Sequence, residues 1–260
     1  MKTVRTVIMA KAPVAGYAKT RLIPALGREG AAELARRMLL HTIATASSAQ
    51  LGPVEICAIP GSEDLVWQAL KREMLALELA WTAQGEGDLG EKMARVAERV
   101  IAQGESVILI GTDCPAITHE HLQTAKAALC AADAVMIPTT DGGYALLALK
   151  KFHPTLFSDI AWSTDAVAAT TRSRLNELGW HLTQMPPLRD IDTPEDLGCL
   201  PPAWVDIRQE FGTDQSKVTL VAIAADTDNT GEKVRSGLAD LHFVGKEDRC
   251  DFPEVVKNSS

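Results

Sequence analysis

The stretch Ser106-Val107-Ile108-Leu109-Ile110-Gly111-Thr112-Asp113-Cys114-Pro115 constrains this chain more than any other. Four consecutive apolar residues stopped by a glycine read as a strand buried on both faces, the kind found in parallel sheets. Thr112 and Asp113 then fall just past the strand's carboxyl end, where open α/β sheets place their ligands. Pro115 prevents the strand from continuing, and Thr118 stands as N-cap of a following helix. An acid fixed at this point suits a divalent cation carrying a nucleotide's phosphates. The local alternative is an aspartate that caps the turn.

The flanking sequence supplies the sheet that such a strand needs. Strands are expected at Val4–Ala10, Val54–Ile59, Leu77–Thr82, Ala134–Pro138, Tyr144–Leu149 and Trp180–Met185. Helical patterns fall at about 28–49, 63–75, 91–102, 118–131 and 163–178. Strands alternating with helices predict an α/β domain, three layers around a Rossmann-like, mostly parallel sheet, over residues 1–200. After Pro201-Pro202 the motif-bearing loops stop. Residues 201–260 carry 11 acids against 7 bases. They read as an acidic, partly disordered appendage with one strand at Val218–Ala225 and a turn at Asp226–Gly231.

Charge and cysteine usage narrow the function. A net charge of −8 argues against a sequence-blind nucleic-acid binder, which needs a basic surface. No apolar run approaches a membrane span, and Thr6–Ala10 is too short for the apolar core of a secretory leader. The five cysteines are scattered and lack any C-x-x-C pairing. The simplest expectation is a reduced, cytoplasmic protein without a structural zinc site.

Several loops carry candidate chemistry. Lys11, Lys19 and Arg21 surround Pro13 and Gly16 directly after the first strand, so charges and backbone N–H groups there can face phosphates. Lys19-Thr20 resembles the end of a P-loop, but Ala18 and Pro13 stand where that motif needs glycine. Gly85-Glu86-Gly87-Asp88-Leu89-Gly90 lets backbone approach a flat ligand. Asp141-Gly142-Gly143-Tyr144 reads equally as a hairpin turn. In Asp190-Ile191-Asp192-Thr193-Pro194-Glu195-Asp196, helix entry explains Thr193 to Asp196 but leaves Asp190 and Asp192 without a role.

Taken in order, Ala10-Lys11-Ala12-Pro13, Gly16, Lys19-Thr20-Arg21-Leu22, Gly87-Asp88-Leu89-Gly90, Gly111-Thr112-Asp113-Cys114-Pro115, Asp141-Gly142-Gly143-Tyr144, Trp162-Ser163 and Asp190–Asp196 resemble a known set. It is that of the bacterial GT-A-fold glycosyltransferase family within the nucleotide-diphospho-sugar transferases. Molybdenum-cofactor and phospholactate guanylyltransferases are among its relatives. The resemblance implies that Lys11, Gly16, Lys19 and Arg21 hold nucleotide phosphates and that Gln84, Gly87 and Asp88 line the base and ribose pocket. It implies Mg²⁺ or Mn²⁺ on Asp113 with Asp192 as second carboxylate. Asp141, Gly142, Gly143, Trp162 and Ser163 would border the sugar or a small-molecule acceptor.

The catalytic set on this reading is Asp113, Lys19 and Asp141, the last as base for an acceptor hydroxyl. Many sugar transferases of this fold carry Asp-x-Asp after the central strand, whereas here Asp113 is followed by Cys114-Pro115. A nucleotide-sugar donor and an NTP that releases pyrophosphate therefore both remain open, beside a nucleotide-binding module without catalysis.

Overall fold

The computed structural model describes residues 2–204 and 206–211. Seven strands form a single sheet: β1 (Val4–Lys11), β2 (Val54–Ile59), β3 (Leu79–Ala83), β4 (Ser106–Ile110), β5 (Ala134–Pro138), β6 (Tyr144–Leu149) and β7 (Leu182–Gln184). Their order is β3-β2-β1-β4-β6-β5-β7. Only β6 runs against its neighbours, pairing antiparallel with both β4 and β5. The expected mostly parallel α/β sheet is the observed one.

Five helices cover the sheet: α1 (Ile23–Ser48), α2 (Gln68–Glu73), α3 (Leu89–Ala102), α4 (His119–Ala128) and α5 (Val167–Glu177). Period-two alternation along the central strands divides their side chains between two layers. Ile8, Ile108, Ile110, Val135 and Ile137 pack on the side of α1, α2 and α4. Val7, Val107, Leu109, Ala134 and Met136 pack on the side of α3 and α5. Ile8, Ile108 and Ile110 are buried to within 2% exposure. Each such side chain contributes about 1.5–3 kcal/mol.

Some boundaries differ from the sequence reading, each for a local reason. α1 is interrupted at Gly27, whose φ of 71° no helix accommodates, so the regular helix starts near Arg28 as expected. The helix expected over 63–75 is a 3-10 turn at Leu65–Trp67 followed by α2. α5 starts at Val167 rather than Ser163, because Ser163 takes a left-handed φ of 63°.

A third apolar cluster decides where the site forms. Leu22 just before α1, and Leu26, Leu34 and Met38 along it, pack against Ile191, Leu197 and Leu200, which tethers the Asp190–Asp196 segment beside the loop after β1. Ile207 of α6 (Asp206–Phe211) is fully buried in this same cluster. Arg37 of α1 reaches Asp206 at 2.9 Å and Glu210 at 3.5 Å. Gly30 of α1 permits the approach, since a Cβ there would stand 2.4 Å from Phe211 Cβ. The strand expected at Val218–Ala225, the turn at Asp226–Gly231 and the rest of the expected appendage to Ser260 lie outside the described residues.

One buried charge lies within the sheet. Glu55 of β2 is 1% exposed. It accepts from Thr82 Oγ1 at 2.7 Å, pairs with Arg99 of α3, and lies 3.6 Å from Arg5 of β1. Two guanidiniums and a hydroxyl thus compensate a carboxylate that burial alone would disfavour.

Candidate active site

Parallel strands that end together leave their following loops on one edge, and here those loops surround a cavity of about 530 Å³. Lys11, Lys19 and Arg21 reach it from the loop after β1, and Thr112, Asp113 and Cys114 from the loop after β4. Thr139, Asp141 and Gly143 enter between β5 and β6, Trp162 and Ser163 before α5, and Asp190 and Asp192 after β7.

Backbone stitching brings the two acidic loops together. Ile191 N donates to Asp113 O at 2.8 Å. Cys114 Sγ donates to Arg189 O at 3.2 Å. Leu188 N donates to Pro138 O, and Thr140 N to Leu188 O, so the same segment also borders the Asp141 loop. The Asp196 carboxylate accepts from Asp192 N, Thr193 N and Thr193 Oγ1, fixing the turn that presents Asp192. Burial pushes the thiol of neighbouring Cys114 up to about 12, away from the thiolate form.

Between the acids lies Lys19, held at a left-handed φ of 47°. Its ammonium donates to Asp113 Oδ1 at 2.7 Å, Ile191 O at 2.5 Å and Asp192 Oδ1 at 3.4 Å. Arg21 Nη1 takes the other oxygen of Asp192 at 2.6 Å. Lys11 Nζ rests 4.0 Å above the ring of Tyr17.

Asp141 Oδ1 accepts from Thr139 Oγ1 at 2.5 Å and from Gly143 N at 3.0 Å. Asp190, half buried, is raised to about 6, first by desolvation and then by the charge of Asp141. Gly142 has a φ of 94°, and a Cβ on it would lie 2.1 Å from Asp165 O. Its own carbonyl accepts from Ala168 N at 2.9 Å. Glycine there is what lets the Asp141 loop press against the Trp162–Asp165 loop. Gly142→Ala is expected to cost about 1–3 kcal/mol through overpacking and to weaken ligand binding by displacing Asp141. Thermal unfolding and ligand titration of the variant check both, and an unchanged melting point would contradict the packing.

Nine of the expected site residues therefore converge: Lys11, Lys19, Arg21, Asp113, Asp141, Gly143, Trp162, Ser163 and Asp192. Gly16, Gln84, Gly87, Asp88 and Gly142 do not line the cavity. Gln84 is buried and donates its amide to Ala10 O and Cys57 O, tying β1 to β2. Asp88 caps α3 by accepting from Glu91 N at 2.8 Å. Arg95 holds the glycine loop from behind through Gln84 O and Glu86 O. Of the apolar floor (Met9, Met93, Tyr144, Ala145 and Val167), Tyr144 alone falls in a motif that the sequence marks. In sequence the other four are indistinguishable from core positions of strands and helices.

Comparison with known proteins places this geometry. The model of a family described as an uncharacterised protein conserved in bacteria (DUF2064) matches residues 42–164. That span carries Asp113, Asp141 and Trp162 but neither Lys19 nor Asp192. No curated protein matches. Among solved structures, a protein of Desulfovibrio desulfuricans G20, provisionally described as a nucleotide-diphospho-sugar transferase, is 28% identical with a TM-score of 0.71. The match covers 86% of this chain and 96% of that one. A 4-diphosphocytidyl-2C-methyl-D-erythritol synthase of Anaerococcus prevotii DSM 20548 is 15% identical, with a TM-score of 0.49 over 75% and 94% of the two chains. A CMP:2-keto-3-deoxy-manno-octonic acid synthetase complexed with CTP is 14% identical, with a TM-score of 0.49 over 80% and 99%. By its mostly parallel sheet and the Desulfovibrio likeness, the chain belongs to the nucleotide-diphospho-sugar transferase superfamily.

Proposed function

We propose that the protein is a metal-dependent transferase that takes a sugar from a nucleotide-sugar donor and passes it to a small acceptor. One observation carries this reading: a basic loop and two acidic loops, distant in sequence, converge at the mouth of one cavity. The likeness to the Desulfovibrio protein supports it.

Among the described residues no group of three or more His, Cys, Asp or Glu side chains is disposed to hold a metal alone. The donors present nonetheless fit Mg²⁺ or Mn²⁺. Asp113 and Asp192 already converge on a single positive charge, and both offer the hard carboxylate oxygens those ions prefer. Two carboxylates with phosphate and water completing the shell is the usual habit of such ions. Bound there, the ion would neutralise charge developing on the departing phosphate.

The protein's own groups divide the remaining work. Lys11 and Arg21 attract the phosphates at the mouth. Asp141 accepts the acceptor hydroxyl's proton at Oδ2, since Oδ1 is committed to Thr139 and Gly143. Trp162 and the apolar floor exclude water from the transferred group.

A specific residue favours a second reading. Pro115 stands where the second acid of Asp-x-Asp would be, which suits a nucleotidyltransferase that consumes an NTP and releases pyrophosphate. Both reactions use this pocket and differ in the phosphate bond broken.

A thermal-shift panel with Mn²⁺, comparing UDP-, GDP- and dTDP-sugars with the four NTPs, separates them. A ligand at 100 times its Kd stabilises the folded state by about 2.7 kcal/mol. A shift with one nucleotide sugar is the expected result. A shift with triphosphate alone transfers the assignment to nucleotidyl transfer, and no shift returns the pocket to a non-catalytic module or an inactive site.

A further inference from the structure

We infer that in the free protein Lys19 serves as the cation of the Asp113–Asp192 pair, and that a divalent ion enters only as nucleotide phosphate draws Lys19 away. The inference builds on the proposed placement of a metal at these carboxylates.

The geometry leaves Lys19 no free donor. An ammonium has three N–H groups. Three acceptors surround this one: Asp113 Oδ1, Ile191 O and Asp192 Oδ1. The side chain is 7% exposed, against 54% for Asp113 and 38% for Asp192. A lysine waiting in solvent for a phosphate would show the opposite pattern. Here the carboxylates, rather than the cation, form the solvent face of the cluster.

Metal and ammonium compete for the same atoms. Mg²⁺ requires carboxylate oxygens at about 2.0–2.1 Å. Lys19 already holds both Oδ1 atoms and Arg21 the second oxygen of Asp192, so Asp113 Oδ2 is the single oxygen of the pair left to a metal. Two cations on one oxygen repel strongly where solvent is partly excluded. Lys19 must therefore leave before the metal can draw on both carboxylates. Leaving without a new partner would strand its charge, and phosphate oxygens supply that partner.

The exchange needs no backbone change. The left-handed backbone at Lys19 fixes its Cα next to the pair, and the four-carbon stem can turn from carboxylate to phosphate about that point. Metal and nucleotide then bind with positive coupling, and linkage requires each to raise the other's affinity by the same factor.

The test titrates Mn²⁺ alone into the full chain and reads free ion by electron paramagnetic resonance. Lys19→Met and Lys19→Gln are each expected to bind Mn²⁺ about tenfold or more tightly than the wild type, within the range of coupling between paired ligands. Adding Asp113→Asn to either variant is expected to abolish that gain. Folded Lys19 variants with unchanged or weaker Mn²⁺ affinity overturn the inference.

The wild type gives a reading that needs no variant. Acetylation of Lys19 by acetic anhydride, followed by peptide mass, is expected to stay slow when Mn²⁺ is added without nucleotide. Release of Lys19 by Mn²⁺ alone overturns the inference too. These readouts are separate from the nucleotide panel: a gain in Mn²⁺ affinity with a blank panel sinks the transferase reading and the nucleotide-driven release, and leaves only the competition between Lys19 and the metal standing.

Discussion

Asp113→Asn is expected to lower turnover by about 100- to 1000-fold, the scale of losing one preorganised electrostatic contribution to a transition state. The substitution keeps the size of the side chain but removes the charge on which Lys19 converges at 2.7 Å and to which we assign the metal. The loop itself should survive, because its tie to the Asp190–Asp196 segment runs through the Asp113 carbonyl rather than the carboxylate. The loss is therefore expected in kcat, with a melting point close to that of the wild type. Steady-state kinetics with the donor identified by the panel checks this. Metal-dependent turnover that persists unchanged would remove Asp113 from the site.

Arg99→Leu carries the largest expected cost to stability. Glu55 is 1% exposed, and Arg99 is its close partner from α3. Removing one partner of a buried ion pair costs about 3–5 kcal/mol, because the remaining charge stays buried without full compensation. Arg5 remains at 3.6 Å and Thr82 still donates, so the lower end, about 3 kcal/mol, is expected here. For a chain of this size that lowers the melting point by roughly 6–12 °C. Ligand affinity should hardly change, as the network lies in the sheet rather than at the cavity. A melting point within about 2 °C of the wild type would mean that Arg5 alone suffices.

The fold was legible because its signals are local. All-apolar runs at Val107–Ile110 and Ala134–Ile137, each stopped by Gly or Pro, admit few alternatives to buried strands. Helix edges were read less well where a residue took an unusual backbone. Ser163 was expected to open a helix, yet nothing in its sequence neighbourhood announced a left-handed φ.

Within the site, the charged residues were legible because the loops that carry them sit at strand ends. Lys19 and Asp113 stand out on that ground, whereas Asp192 enters only through the family resemblance. Which partner each would choose was not legible. Lys19 was read as a phosphate ligand, whereas its three donors go to the acids and a carbonyl, a consequence of the apolar cluster that draws Ile191 beside α1. Gln84 and Asp88 show the converse. Their residue types suit a nucleotide pocket, but Gln84 ties β1 to β2 and Asp88 caps α3. Met9 and Met93 gave no signal, since an apolar side chain facing a cavity has the same sequence pattern as one facing a core.

The most direct test of the central claim is calorimetric titration of the nucleotide that gives the largest melting shift, once with Mn²⁺ and once with EDTA, into wild-type and Asp113→Asn protein. The account predicts that Mn²⁺ raises wild-type affinity by about tenfold or more, and that Asp113→Asn loses this increment. Equal affinity with and without metal, or an increment that survives in Asp113→Asn, would contradict it.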